Sequence, residues 1–129
     1  MAAKILIVDD EAPMRRLLQL TLEDLEDKGV EILVAEDGQA ALELIQEERP
    51  DLVLLDIMMP ELNGFDVCDT IKNKLGLSGV SVILLTAKGQ AVDRMRGEAV
   101  GADLYFTKPF DPDELRNTAS QLLGFSDDF

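Results

Sequence analysis

A single domain of alternating strands and helices, built on one parallel β-sheet, is what the 129-residue sequence predicts. Three observations lead there. Residues 5–8, 52–55 and 82–85 are unbroken apolar tetrads, which is how strands buried on both faces read, because a strand with one wet face would alternate. Between the tetrads the hydrophobic period becomes helical. The links are short, so each strand-to-strand crossover passes through a helix, and right-handed crossovers of that kind cover a parallel sheet on both sides.

Taken in order, the first tetrad is followed by Met14, Leu17, Leu18, Leu22 and Leu25, a single helical stripe opened by Pro13 in the first turn. Residues 31–35 have strand length and composition and suit an outer position. Ala41, Leu44 and Ile45 mark a second helix that must stop before Pro50. The central tetrad at 52–55 precedes a third helix carrying Phe65, Cys68, Ile71 and Lys72. After the tetrad at 82–85 a fourth helix is expected over 90–100, with Gly101 just past its end, where a left-handed conformation costs glycine little. Residues 104–107 form the fifth strand. The last helix opens on Asp111, Pro112, Asp113 and Glu114, which supply a capping aspartate, a first-turn proline and a capping-box glutamate. Its buried stripe is Leu115, Ala119, Leu122 and Leu123.

Composition narrows the function. There are 26 acidic and 12 basic residues, a formal charge of −14, with no histidine, no tryptophan and one cysteine. A chain that is 47% apolar is not disordered despite this charge, and at this length about two thirds of the unfolded surface can be buried. The surplus of carboxylates argues against direct binding of nucleic acid or an anionic membrane and favours basic partners. Without histidine there is no His-dependent triad and no imidazole switch, and most zinc sites are excluded. The lone Cys68 excludes an internal disulfide, and no apolar run approaches a membrane span, so a reducing, cytoplasmic setting is expected.

Ligands of an open parallel sheet bind beyond the carboxyl ends of its strands. Those ends carry Asp9, Asp10 and Glu11 after the first strand, Asp56 after the third, Thr86 and Ala87 after the fourth, and Lys108 and Pro109 after the fifth. Acid pairs alone mean little here, since Glu23-Asp24, Glu26-Asp27 and Glu36-Asp37 read as solvated surface. Asp56 differs, because an acid closing a central apolar run must be answered by a cation or a donor. Three carboxylates within about 4 to 6 Å would repel by roughly 4 kcal/mol per close pair at an effective dielectric near 20. Lys108 offers one charge. A divalent cation held by oxygens would supply the rest, and a few carboxylates with room for water and phosphate suit Mg²⁺ better than a calcium cage. The plainer alternative is an Asp-Lys ion pair with no metal.

The motifs Val8-Asp9-Asp10-Glu11, Asp56-Ile57-Met58-Met59-Pro60 with Gly64, Thr86-Ala87, and Tyr105-Phe106-Thr107-Lys108-Pro109-Phe110 together resemble the receiver domains of two-component response regulators, from Lys4 to about Leu123. The resemblance implies a doubly wound, flavodoxin-like (βα)5 fold with strand order 2-1-3-4-5, the order that chemotaxis regulators of this family share with flavodoxin. Residues 1–124 would be the receiver, and 125–129 a short tail or the start of a linker.

By the same resemblance Asp56 is the phosphoacceptor. Asp9, Asp10, Asp56 and the backbone carbonyl of Met58 match the Mg²⁺ ligands, with Mn²⁺ as a possible substitute. Lys108 would pair with phosphoryl oxygens, Thr86 would donate its hydroxyl, and Ala87 would leave the phosphate room. Lys108-Pro109 corresponds to the family's cis peptide. Thr86 and Tyr105 match the switch pair that alters the face formed by the helix at 90–100, the strand at 104–107 and the last helix. Lys88 is either a solvated loop lysine or a cation that alters phosphoryl lifetime, and Met58 brings no general base. The implied partners are a histidine kinase or histidine phosphotransfer protein as donor and a downstream protein or attached effector as target. The protein would be a monomer or a weak phosphorylation-dependent dimer, with no turnover of an external substrate. A single-domain regulator is slightly favoured over a receiver belonging to a longer one.

Two other readings are weaker. A haloacid-dehalogenase-like phosphatase wants a second aspartate two residues after its nucleophile, and that position is Met58. A flavin carrier of this fold class wants glycine, serine or threonine after the first strand, where Asp9, Asp10 and Glu11 would repel its phosphate.

Overall fold

The computed structural model describes residues 3–87, 95–96 and 98–125. Five strands, β1 (Lys4–Val8), β2 (Glu31–Ala35), β3 (Leu52–Asp56), β4 (Ser81–Thr86) and β5 (Leu104–Thr107), form one sheet in the order β2-β1-β3-β4-β5, and every neighbouring pair is parallel. The apolar tetrads are the three inner strands. Each all-apolar strand feeds two cores, because successive side chains leave opposite faces of the sheet. Leu6, Val8, Val53, Leu55, Val82 and Leu84 join one cluster, under helices α3 (Gly38–Glu48) and α4 (Gly64–Asp69). Ile5, Ile7, Leu52, Leu54, Ile83 and Leu85 join the other, under α1 (Ala12–Thr21), α2 (Glu23–Asp27) and α5 (Pro112–Leu122). Truncating a side chain such as Leu54 to alanine would cost about 2–5 kcal/mol.

The helices depart from the sequence expectation at specific places. The first stripe is carried by two helices that meet at Leu22, and Leu18, Leu22 and Leu25 are fully buried while Leu17 is 43% exposed. Leu17 precedes Leu18 by about 100° of helical rotation, which turns it off the sheet once Leu18 faces it. The helix ahead of Pro50 ends at Glu48, and Arg49 takes a left-handed conformation with φ 50°. Helix α4 runs into a π-helical turn (Thr70–Lys74), closed by the Leu75 N–H donating to the Thr70 carbonyl at 2.8 Å. That extra residue keeps Ile71 buried while the Lys72 ammonium reaches the Val80 carbonyl at 2.6 Å and Asp103 at 2.9 Å. Of the helix expected over 90–100, Met95, Arg96, Glu98 and Ala99 are described and helical, and its other residues before Val100 lie outside the described residues, as does Lys88. Gly101 ends it at φ +89°.

Asp111 caps α5 as expected, accepting from the N–H groups of Asp113 and Glu114. A reciprocal capping box forms instead on α4, between Asn63 and Asp66. In the stripe of α5, Leu115 and Ala119 are fully buried, but Leu122 in the last turn is exposed. It lines a cleft with Lys4, Arg49 and Ser81 at the amino-terminal rim of the sheet.

Candidate functional site

Strand order decides which strand ends meet. With β1, β3, β4 and β5 side by side, the residues at their carboxyl ends converge on one rim. Asp9 leaves β1 wholly buried, and each of its polar groups is held. Its N–H donates to the Ala35 carbonyl at 3.3 Å, Oδ1 accepts from the Glu11 N–H at 2.9 Å, and Oδ2 accepts from Lys108 at 3.1 Å. Asp56 closes β3, only 3% exposed, paired in register with Leu85. Its Oδ1 accepts from the same Lys108 ammonium at 3.1 Å, and its carboxylate also accepts from the Met58 N–H. Asp10 stands on the solvent side. One oxygen from each of Asp9, Asp10 and Asp56 lies within 4.8 Å of the others.

The loop after Asp56 can close only over glycine. A Cβ on Gly64 would stand 2.6 Å from the Asp56 carbonyl oxygen and 2.8 Å from the Ile57 Cα, both backbone atoms that cannot move aside. Lys108 is delivered from the other flank. Its N–H donates to the Thr86 carbonyl, and the Lys108-Pro109 peptide bond is cis.

Among the described residues the three carboxylates share one lysine ammonium, which leaves them with surplus negative charge. Burial is the main reason that the Asp56 carboxyl sits above the usual range, with the nearby Asp9 charge adding to it, while Lys108 and the Met58 N–H pull the other way. Burial also pulls the Lys108 ammonium down, but the charges and hydrogen bonds of Asp56 and Asp9 outweigh it, and Lys108 is held above its ordinary value. A donor set made only of oxygens, partly open to water through Asp10, has the chemistry that a hard divalent cation prefers.

The other expected residues fall around this centre. Thr86 is buried at the end of β4, with Ala87 exposed next to it. The Met58 side chain is 71% exposed, so only its backbone faces Asp56. Tyr105 pairs in register with Leu84 and packs, partly buried, against the cluster under α3 and α4. Sequence reasoning missed Arg15. Its guanidinium reaches back from α1 to donate to the Asp9 carbonyl at 2.7 Å. The one available signal was its place in the opening turns of the helix that follows the acid pair.

The chain matches the response regulator receiver domain over residues 5–120. A probable transcriptional regulator, ycf27, of Cyanophora paradoxa is 44% identical over 120 residues, covering 93% of this chain and 48% of that protein. The chain thus spans about half the length of the curated relatives it matches. Among solved structures, the chemotaxis protein CheY4 of Vibrio cholerae superposes with a TM-score of 0.83 at 31% identity, covering 95% of this chain and 99% of that one. The signal receiver domain of a DNA-binding response regulator from Colwellia psychrerythraea gives a TM-score of 0.86 at 31% identity, covering 94% and 98%. Match, identity and fold agree with the acid rim: the chain belongs to the receiver domains of two-component response regulators.

Proposed function

We propose that this receiver is a phosphorylation-controlled switch in which Asp56 accepts a phosphoryl group from a histidine kinase or histidine phosphotransfer protein in a Mg²⁺-dependent reaction. The observation that carries this reading is the single Lys108 ammonium shared at 3.1 Å by Asp9 and Asp56, with Asp10 in reach of both. Among the described residues one lysine faces three carboxylates and cannot neutralise them all, so a divalent cation fits the remaining charge. Asp9, Asp10, Asp56 and the Met58 carbonyl would hold it. When bound, it supplies positive charge for the phosphoryl oxygens.

The remaining work falls to the chain. An Asp56 carboxylate oxygen attacks phosphorus, the P–N bond of the donor's phosphohistidine breaks, and its electron pair returns to the imidazole, leaving an acyl phosphate on Asp56. Phosphoryl transfer asks for positioning and charge neutralisation more than for protein acid-base chemistry, which suits a site without histidine. Lys108, already seated between Asp9 and Asp56, pairs with the phosphoryl oxygens. Thr86 offers a hydroxyl, and the small Ala87 leaves space beside it. The new charge of roughly −1.5 to −2 then draws Thr86 inward and lets Tyr105 follow, shifting the β5–α5 face.

Output goes to a separate protein or to an attached effector. The curated relatives are called probable transcriptional regulators and are about twice as long, which supports transcriptional control as the endpoint of such an attachment. Among the described residues no helix is long and apolar enough to cross a membrane. The test is labelling by acetyl phosphate. Wild-type protein takes up label only with Mg²⁺ and Asp56→Asn takes up none; label retained in the variant would move the acceptor elsewhere.

A further inference from the structure

We propose that Arg15 is a positioning residue of the acid pocket: its guanidinium fixes the turn between β1 and α1 so that the carboxylates of Asp9 and Asp10 face Asp56. The inference rests on the divalent-cation reading of the pocket. Asp9 is wholly buried, so its carbonyl has no water to turn to, and Arg15 Nη1 at 2.7 Å is its donor. That bond spans the turn that carries both acids. Removing it would leave a buried acceptor unsatisfied, and the turn would relax to recover a partner, carrying the carboxylates away from their common point.

Arg15 is distinguished from its neighbour by placement. Arg16 has the same charge one residue on, but faces solvent. The two side chains therefore separate charge from positioning. On Coulomb grounds alone, deleting a cation near a metal site tightens the metal. Weakened binding can arise only if the deleted group was holding the ligands in place. Groups that orient metal ligands typically carry about a 10- to 100-fold effect on affinity.

The experiment is titration of the purified full chain with Mg²⁺ by calorimetry, at a temperature well below the melting point of every variant. R15M is expected to weaken Mg²⁺ about tenfold. R15K, which can still donate to the carbonyl, is expected to recover most of that loss, and R16M to bind Mg²⁺ as tightly as wild type or slightly more so. For a variant too unstable to titrate, the gain in urea midpoint on adding Mg²⁺ reads the same affinity. An R15M protein that binds Mg²⁺ as tightly as wild type or more tightly overturns the positioning role while leaving the pocket's reading intact. A wild-type chain that binds no Mg²⁺ overturns both.

Discussion

Two lysines at opposite rims of the sheet make ion pairs of nearly equal length, and they do different things. Lys4, at the start of β1, meets Glu48 at 2.9 Å, with side-chain exposures of 28% and 37%. Lys108, just past β5, meets Asp9 and Asp56 at 3.1 Å each, with exposures of 14% for the lysine and 0% and 5% for the acids. By distance alone the Lys4 pair is the better one. Water screens its charges, however, so it adds little. The Lys108 cluster is desolvated and unbalanced, with one ammonium against buried acids, and is therefore costly to disturb and receptive to another cation. What separates the two rims is the access of water to the charged groups.

The largest effect that follows is on Lys108→Met. It strips from two buried carboxylates the one lysine that pairs with both among the described residues, and should destabilise the ion-free protein by about 3–5 kcal/mol, read as a fall in urea midpoint in chelator. A loss no larger than that of an exposed lysine would mean that the pocket is wetter than its burial implies, and the comparison would fail.

The next effect has the opposite sign. Because burial and Asp9 raise the Asp56 carboxyl, ionised Asp56 is a load on the ion-free fold. Asp56→Asn should therefore stabilise that form by roughly 1 kcal/mol, a fraction of the ~4 kcal/mol repulsion of a close pair at an effective dielectric near 20. The pH dependence follows in sign. Between the ordinary carboxylate value and the raised one, the native chain holds more protons at this site than the unfolded chain does. This group's contribution to stability thus falls as pH rises through that window. Urea midpoints of wild type minus Asp56→Asn, taken in chelator from pH 4 upward, should show that falling slope; a flat difference would remove the burial argument.

The two rims also differ in how far they can be read from sequence alone. Asp9, Asp56 and Thr86 are legible because each ends an apolar strand, and strand ends in a parallel sheet share an edge whatever the details of packing. The stripe of the first helix is legible in outline, but the exposure of Leu17 and Leu122 is not. Periodicity says which residues share a face; it does not say how wide or how long the opposing surface is. The break at Leu22, the π-helical turn at 70–74 and the capping box at Asn63 and Asp66 depend on single residues that no repeat announces. Arg15 is hidden for a related reason. A side chain that bonds a backbone carbonyl needs only length and a donor, so its place in the opening turns of α1 is a weak signal that does not single out Asp9.

The smallest expected effect sharpens the comparison from its weak end. Glu48's hydrogen bond is the chief reason that Lys4 sits above its ordinary value, yet both partners stay in contact with water. Lys4→Met should lower the urea midpoint only slightly at low salt. At 1 M salt the Debye length falls to about 3 Å, and the difference in urea midpoint between wild type and Lys4→Met should vanish. The Lys108→Met difference should survive the same salt far better, since bulk salt screens buried charges much less than exposed ones. If salt erased both differences alike, bulk screening would govern the two rims equally, and burial could no longer set them apart.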